Sequence, residues 1–363
     1  MYRVLVVDDS ALMRKLMCDI INSIQGFEVV DVCSDGQSAY RRISEFGNFD
    51  VITMNVFLPR MDGLEVMRKL QSDGNRIPII AISASVKEDR DLTVKAFELG
   101  AVEFVVRPFH LSADERDAFT GELKDALNAA AKSNTAVLNK QASAAQPKPS
   151  PVKPTANITP MAAKPEGSVP GKFDLLAIAS STGGPQALRT FIPMLPKHIG
   201  VPGVIVQHMP KGFTASLAER ISETSNLVMK EAEDNEVLKN DVIYIAPGGK
   251  HLEIKMNSSG KMVSVLSDAP AVNNLKPCAD VTFRTIANLS IKSVLCVVLT
   301  GMGSDGTEGI KAIRATKNTY CITQSADTCV VYGMPKAADL AGLSNESAPI
   351  TEVADRVARK LGV

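Results

Sequence analysis

Leu175-Leu-Ala-Ile-Ala179, followed at once by Ser180-Ser-Thr-Gly-Gly-Pro185, is the stretch on which the fold turns. An unbroken apolar run without alternation reads as a strand covered on both faces, as in parallel sheets. The small residues and glycines after it allow a tight turn, and Pro185 suits a first helical position. Strand, turn and helix thus follow in one βα unit. Downstream the unit recurs, with strands expected at residues 204–207, 242–246, 294–300 and 320–323, and helices following at Gln186, Phe213, Ala279, Asp305 and Pro335. Residues 252–256 and 262–266 flank Asn257-Ser-Ser-Gly-Lys261 and read as an antiparallel hairpin added to the sheet.

Upstream the same pattern gives strands at residues 3–7, 28–33, 50–54, 79–83 and 103–106. Leu12, Met13, Leu16, Met17, Ile20, Ile21 and Ile24 mark one helix face between the first two. Ser112-x-x-Glu115 has the form of a capping box opening a last helix. From about residue 128 to 171 the chain turns to Ala, Pro, Lys, Ser and Thr, including Gln146-Pro-Lys-Pro-Ser-Pro-Val-Lys-Pro154. Such a stretch buries too little apolar surface to offset its ordering entropy and reads as a linker. The expectation is two doubly wound parallel-sheet α/β domains, residues 1–127 with a C-terminal helix and residues 172–363, joined by a flexible linker over 128–171.

Composition narrows the function. The 363 residues carry 40 Lys plus Arg against 40 Asp plus Glu, no Trp and 5% aromatic residues. A nucleic-acid binder needs surplus cations and stacking surfaces; here the charges balance and there is little aromatic surface on which to stack bases. No apolar run approaches the roughly 20 residues of a membrane span. Met1-Tyr2-Arg3 leads straight into a strand pattern, without the apolar core of a signal peptide. The six Cys, at 18, 33, 278, 296, 321 and 329, form no Cys-x-x-Cys and read as reduced thiols of a cytoplasmic protein. The four His (110, 198, 208 and 251) show no metal-ligand spacing.

Ligands of such sheets bind beyond the carboxyl ends of the strands. Three post-strand segments stand there: Ser180-Ser-Thr-Gly-Gly-Pro185, Gln207-His-Met-Pro210 and Thr300-Gly-Met-Gly-Ser-Asp-Gly306. They bring a hydroxyl, an imidazole and a carboxylate to one sheet edge, the set that acyl transfer requires. Taken singly, each has a plainer reading: Ser181 or Thr182 and Asp305 as helix caps, His208 as a loop histidine. Their convergence favours the catalytic one. Gly301-Met-Gly-Ser-Asp-Gly306 also satisfies a dinucleotide fingerprint, but the next strand ends in Thr323-Gln324 where that motif expects an acid. Asp305 would also face a pyrophosphate with like charge.

At this point residues 173–343 resemble the catalytic domain of the CheB protein-glutamate methylesterases of bacterial chemotaxis. The matching segments are Ala177-Ile-Ala-Ser-Ser-Thr-Gly-Gly-Pro-Gln-Ala-Leu188, Val204-Ile-Val-Gln-His-Met-Pro-Lys-Gly-Phe-Thr214, Tyr244-Ile-Ala-Pro-Gly-Gly-Lys-His251, Leu299-Thr-Gly-Met-Gly-Ser-Asp-Gly306 and Tyr332-Gly-Met-Pro335. The resemblance implies Ser181 as nucleophile, His208 as base and Asp305 as orienting acid, with the backbone N–H groups of Thr182 and Met302 as oxyanion hole. Two residues depart from it: Ala179-Ser180 where Gly-Ala is usual, Ser180 reading as a small residue in a tight bend, and Cys278 where Ser is common. His251 is expected to shape the site without replacing His208.

Residues 1–110 resemble a response-regulator receiver domain. Asp8-Asp9 match its Mg²⁺-binding acid pair, Leu58-Pro-Arg-Met-Asp-Gly-Leu-Glu65 the loop after the third strand, Ser83 the hydroxyl after the fourth, and Phe104 the aromatic switch position. Two positions depart: Asn55 stands where the phosphate-accepting Asp belongs, and Arg107 replaces the usual Lys. An amide lacks the carboxylate that forms an acyl phosphate. Losing one negative charge leaves at most weak Mg²⁺ binding at Asp8 and Asp9, and Arg keeps the charge of Lys without its compact geometry.

The resemblance therefore implies hydrolysis of γ-glutamyl methyl esters on methyl-accepting chemotaxis receptors, with methanol released. It also implies deamidation of receptor glutamines, no cofactor in catalysis, and a chemotaxis histidine kinase as a further partner. The rival of another class is a non-catalytic signalling adaptor with a pseudo-receiver.

Overall fold

The computed structural model describes residues 1–83, 90–108, 112–144 and 173–363. His110 and the Pro-rich tract read as linker lie outside the described residues.

The first sheet holds β1 (Tyr2–Val7), β2 (Phe27–Cys33), β3 (Val51–Asn55), β4 (Ile79–Ser83) and β5 (Ala101–Val106), all parallel, in the order β2-β1-β3-β4-β5. This is the flavodoxin-like order, whose crevice opens between β1 and β3, where Asp8, Asp9 and Asn55 stand. Helix α1 (Ala11–Ser23) starts at Ser10, whose hydroxyl accepts from Met13 N, and buries Met13, Leu16, Met17, Ile20 and Ile21. Leu12, read with that face, points outward at 61% exposure. α2 (Gly36–Phe46), α3 (Gly63–Ser72) and α4 (Arg90–Glu98) follow the later strands. α5 (Ala113–Ala144) continues well past residue 127, where the linker was expected to begin. The reason is packing: Ala129, Ala130 and Ala131 are buried, and the apolar composition of a linker rich in Ala also suits a helix resting on a sheet.

The second sheet holds β6 (Leu175–Ser180), β7 (Gly203–Gln207), β8 (Val228–Glu231), β9 (Val242–Ile245), β12 (Ser293–Val298), β13 (Asn318–Gln324) and β14 (Glu346–Ala348). Their order is β14-β13-β12-β6-β7-β9-β8, with every pairing parallel. The helices are α6 (Gly184–Phe191), α7 (Phe213–Thr224), α8 (Ala279–Ala287), α9 (Thr307–Thr316), α10 (Met334–Leu340) and α11 (Ile350–Leu361). Sequence periodicity missed β8 and β14, the two edges, because Lys230 and Glu231 interrupt one and Glu346-Ser347-Ala348 has no apolar run. The hairpin is present as β10 (His251–Met256) and β11 (Met262–Ser267), but it forms its own two-stranded sheet, packed on α8.

The central strands β6, β7 and β12 are buried along their whole length. Each large apolar side chain so buried contributes about 1.5–3 kcal/mol. The chain leaves β6 toward β7 on one side and reaches β12 on the other, so the switch point of the order falls at β6. That places the residues after β6, β7 and β12 around one crevice. Between the domains, α4 packs on α6 and α7, the Phe104 and Phe213 rings lie 5.1 Å apart, and Arg189 pairs with Glu98 at 3.2 Å. Among the described residues no helix is long and apolar enough to cross a membrane.

Candidate active site

A cleft of about 310 Å³ opens at that switch point, lined on one side by Ser181, Thr182, His208 and Met302. Its other walls are the 274–277 loop and receiver residues that include Glu103, Phe104, Glu122 and Asp125. Asp305 lies behind the lining: its Oδ2 is 2.7 Å from His208 Nε2. Asp305 is the best-anchored side chain of the group. It accepts N–H bonds from Ala279 (2.6 Å), Asp280 (2.9 Å) and Gly306 (3.0 Å), and the Cys278 thiol at 3.1 Å. Ala279 and Asp280 open α8, so the helix N-terminus faces the carboxylate. Burial alone would push this acid up, but His208 and the α8 amides outweigh it and hold it at about 2.

The tautomer follows. An ionised carboxylate only accepts, so His208 Nε2 carries the proton it donates to Asp305, and Nδ1 keeps the lone pair. The Ser181 hydroxyl lines the cleft with His208 and makes no hydrogen bond among the described residues. The backbone N–H groups of Thr182 and Met302 likewise donate to no protein group among them. The capping readings are set aside: α6 begins after Gly183 with no side-chain cap, α9 begins after Gly306 with none, and Asp305 serves the start of α8 instead.

Ser180 is buried, and its hydroxyl donates to Gln207 Oε1 at 2.7 Å. It is a hydrogen-bonding strand end rather than merely a small residue in a bend. The other end of Gln207 donates to the carbonyls of Ser181 and His208, both at 3.0 Å. Gln207 therefore ties the nucleophile candidate's backbone to the base candidate's. Sequence reasoning passed over it because Gln at a strand end has no chemical signature. The one available signal was Gly184, where a Cβ would come within 1.9 Å of Gln207 Oε1. Gly301 is excluded from bearing a side chain in the same way: its Cβ would meet Ser181 Cβ at 2.8 Å and Met334 Sδ at 2.4 Å. His251 is buried and bonds Pro270 O through Nε2 at 3.0 Å, ahead of the 274–277 loop that walls the cleft.

In the receiver crevice Asn55 Nδ2 donates to Asp9 Oδ1 at 2.9 Å, and Phe57 N donates to Asn55 Oδ1 at 3.2 Å. Arg107 Nη1 lies 3.6 Å from Asp8 Oδ2, an oxygen that is buried and makes no hydrogen bond. Burial pushes the Asp8 carboxyl above its ordinary value, against the Ser10 N–H and Arg107. Ser83 is buried at the end of β4, and its carbonyl accepts from Arg107 N at 2.8 Å. A Mg²⁺ site needs hard oxygen donors converging on one point. Here the Asn55 oxygen turns away from the acid pair, its amide engages Asp9, and a guanidinium neighbours Asp8, so these residues do not fit the ion. Among the described residues no cluster of three or more His, Cys, Asp or Glu could hold a metal.

The CheB methylesterase family model matches residues 176–357, and the response regulator receiver domain model matches residues 4–114. A protein-glutamate methylesterase/protein-glutamine glutaminase of Bacillus subtilis (strain 168) is 39% identical over 355 residues, covering 98% of this chain and 97% of that protein. A protein of the same description from Archaeoglobus fulgidus is 38% identical over 365 residues, covering 99% and 98%. The crystal structure of the Thermotoga maritima CheB methylesterase catalytic domain superposes with a TM-score of 0.50 at 41% identity, covering 52% of this chain and 98% of that one.

Proposed function

This chain belongs to the CheB methylesterase family, with a receiver domain ahead of the methylesterase domain, and we propose that it hydrolyses its substrate through Ser181, His208 and Asp305. The protein is a protein-glutamate methylesterase with glutaminase activity, as its relatives are described. The observation that carries the residue assignment is the 2.7 Å contact of His208 with Asp305 behind a cleft that Ser181 shares.

In this reading Ser181 Oγ attacks the γ-carbonyl of a glutamyl methyl ester while His208 Nδ1 takes its proton. Asp305 holds the imidazole in that tautomer and balances the imidazolium. The N–H groups of Thr182 and Met302 receive the oxyanion. The tetrahedral intermediate collapses with loss of methanol, which leaves with the proton from His208, and water then cleaves the acyl-enzyme. A glutamine substrate follows the same path with ammonia as leaving group. No cofactor enters these steps.

The substrates in this reading are the glutamyl side chains of methyl-accepting chemotaxis receptors, and the setting is the cytoplasm, in keeping with the six free cysteines. A chemotaxis histidine kinase remains a candidate partner through the receiver, although Asn55 and Arg107 leave that domain without phosphotransfer or a Mg²⁺ site. The test is methanol release from a methylated receptor fraction. Ser181→Ala should abolish it and Ser180→Ala should retain a measurable part; equal losses, or the reverse order, would assign the wrong serine.

A further inference from the structure

Lys276 is the lysine that lines the cleft beside Ser181, Thr182 and His208. Two more lysines stand with it. Gly249 N donates to Lys276 O at 3.1 Å, which brings Lys250 alongside, and a Cβ on Gly249 would lie 3.3 Å from Lys211 Cβ. Lys211 itself directly follows Pro210, which lines the cleft with His208 and Met209. All three ammonium groups gather around one exposed acid, Asp268. Lys250 Nζ lies 3.1 Å from its Oδ2, and Lys276 Nζ donates to its backbone carbonyl at 2.9 Å. Lys250 first, then Lys276 and Lys211, hold the Asp268 carboxyl below its ordinary value. Three cations thus share a single carboxylate at the rim.

The segment that carries Lys276 is held firmly. Val272 and Leu275 exchange backbone bonds at 3.1 and 2.9 Å, closing a two-residue turn through Asn273 (φ 53°) and Asn274 (φ 61°). Asn tolerates that left-handed region better than most residues, and a turn so closed fixes the direction of the residues after it. Across the cleft the charge reverses, with Glu122 and Asp125 on the α5 side. The group attacked, an ester or an amide, is neutral, so the reacting carbonyl itself calls for no lysine. The cations stand where residues flanking the modified side chain would pass.

We propose that Lys211, Lys250 and Lys276 form a carboxylate-reading rim that selects glutamyl sites flanked by acidic residues. The proposal rests on the methylesterase reading and names the class of substrate segment its cleft takes. The opposite signs of the two walls also fix the orientation of such a segment, its carboxylates toward the lysines and away from α5. Charges at a rim act mainly on encounter and selectivity and are screened by salt, so the effect belongs in KM and leaves kcat alone.

The experiment uses the full chain and two synthetic peptides of equal length, each with one γ-glutamyl methyl ester, flanked by Glu in one and by Ser in the other. Methanol release gives KM for each, and fluorescence anisotropy gives the affinity of the matching peptides with free Glu at the central position. The Glu-flanked peptide should be preferred in both measurements, and the preference should vanish near 1 M salt, where screening reaches about 3 Å. Lys276→Gln keeps a donor for the Asp268 carbonyl; it and Lys211→Gln should each weaken the Glu-flanked peptide by about two- to fivefold, leaving the Ser-flanked one unchanged. Asp268→Asn removes the one acid and should strengthen the preference. Lys211→Glu with Lys276→Glu should transfer it to a Lys-flanked peptide, which a merely structural role would not do. Equal KM and equal affinity for the two peptides in wild type, or a preference that none of these variants moves, would overturn the proposal. If neither peptide releases methanol with any variant, wild type included, the methylesterase reading fails instead, and anisotropy still decides whether the rim reads carboxylates.

Discussion

Asp305 accepts from His208 at 2.7 Å and, with the same carboxylate, from the first two N–H groups of α8. One acid thus orients the imidazole and closes a helix start, so its two roles separate under mutation. Asp305→Asn keeps acceptor capacity through its carbonyl oxygen but loses the charge that fixes the His208 tautomer. Turnover should fall by about 10³–10⁴ with the fold retained. Circular dichroism beside methanol release checks this; an active, folded Asp305→Asn enzyme would remove the triad.

The same carboxyl makes a stability prediction. Its value is lowered from 3.8 to about 2, so its stabilisation is fully present above 3.8 and is lost as pH falls through about 2. The contribution is on the order of 2 kcal/mol. Acid unfolding of wild type and Asp305→Asn should converge toward the low end of that window. Parallel curves throughout would contradict it.

Gln207 is a positioning residue that reaches the chemistry only through the carbonyls of Ser181 and His208. Gln207→Leu should lower kcat by about 10–100-fold with little change in KM, as expected when supporting hydrogen bonds loosen a reacting geometry. Ser180→Ala should cost less, and the double variant should cost less than the two effects added, because both residues serve one bond. Strict additivity would mean that the contact carries no coupling.

Gly301→Ala tests the crowding around the nucleophile. Its methyl would fall 2.8 Å from Ser181 Cβ and 2.4 Å from Met334 Sδ. Met334 can move, but the Ser181 backbone is held by Thr300 O at 3.0 Å. A loss of activity larger than the loss of stability is expected. Full activity in a crystal-verified Gly301→Ala protein would show that Ser181 tolerates displacement.

For the receiver, incubation with a small-molecule phosphodonor and Mg²⁺ should leave both intact mass and rate unchanged. Asn55 is committed to Asp9, and Arg107 neighbours Asp8. A base-labile adduct on the first domain with a matching rise in rate would show that Asp8 or Asp9 accepts the phosphoryl group instead.

The apolar strand runs, the glycine turns and the segments around Ser181, His208 and Asp305 were all legible in the chain, because buried parallel strands and tight turns impose their residue types locally. The edge strands β8 and β14 were not, since an edge is defined by its neighbour more than by its own residues. Helix α5 likewise outran its expected end at residue 127, because an Ala-rich segment becomes helix or linker according to whether a surface lies beneath it. Local pattern could bring three chemical groups to one sheet edge. It could not say that Asp305 rests on the start of α8, that Gln207 joins two strand ends, or that Glu103 crosses from one domain into the cleft of the other. Those contacts join residues 25, 26 and 27 positions apart or lie across the domain boundary. Hydrogen bonds and buried carboxyls of that kind depend on direction and distance in space, which a linear pattern of residue types does not carry until the sheets are folded and packed.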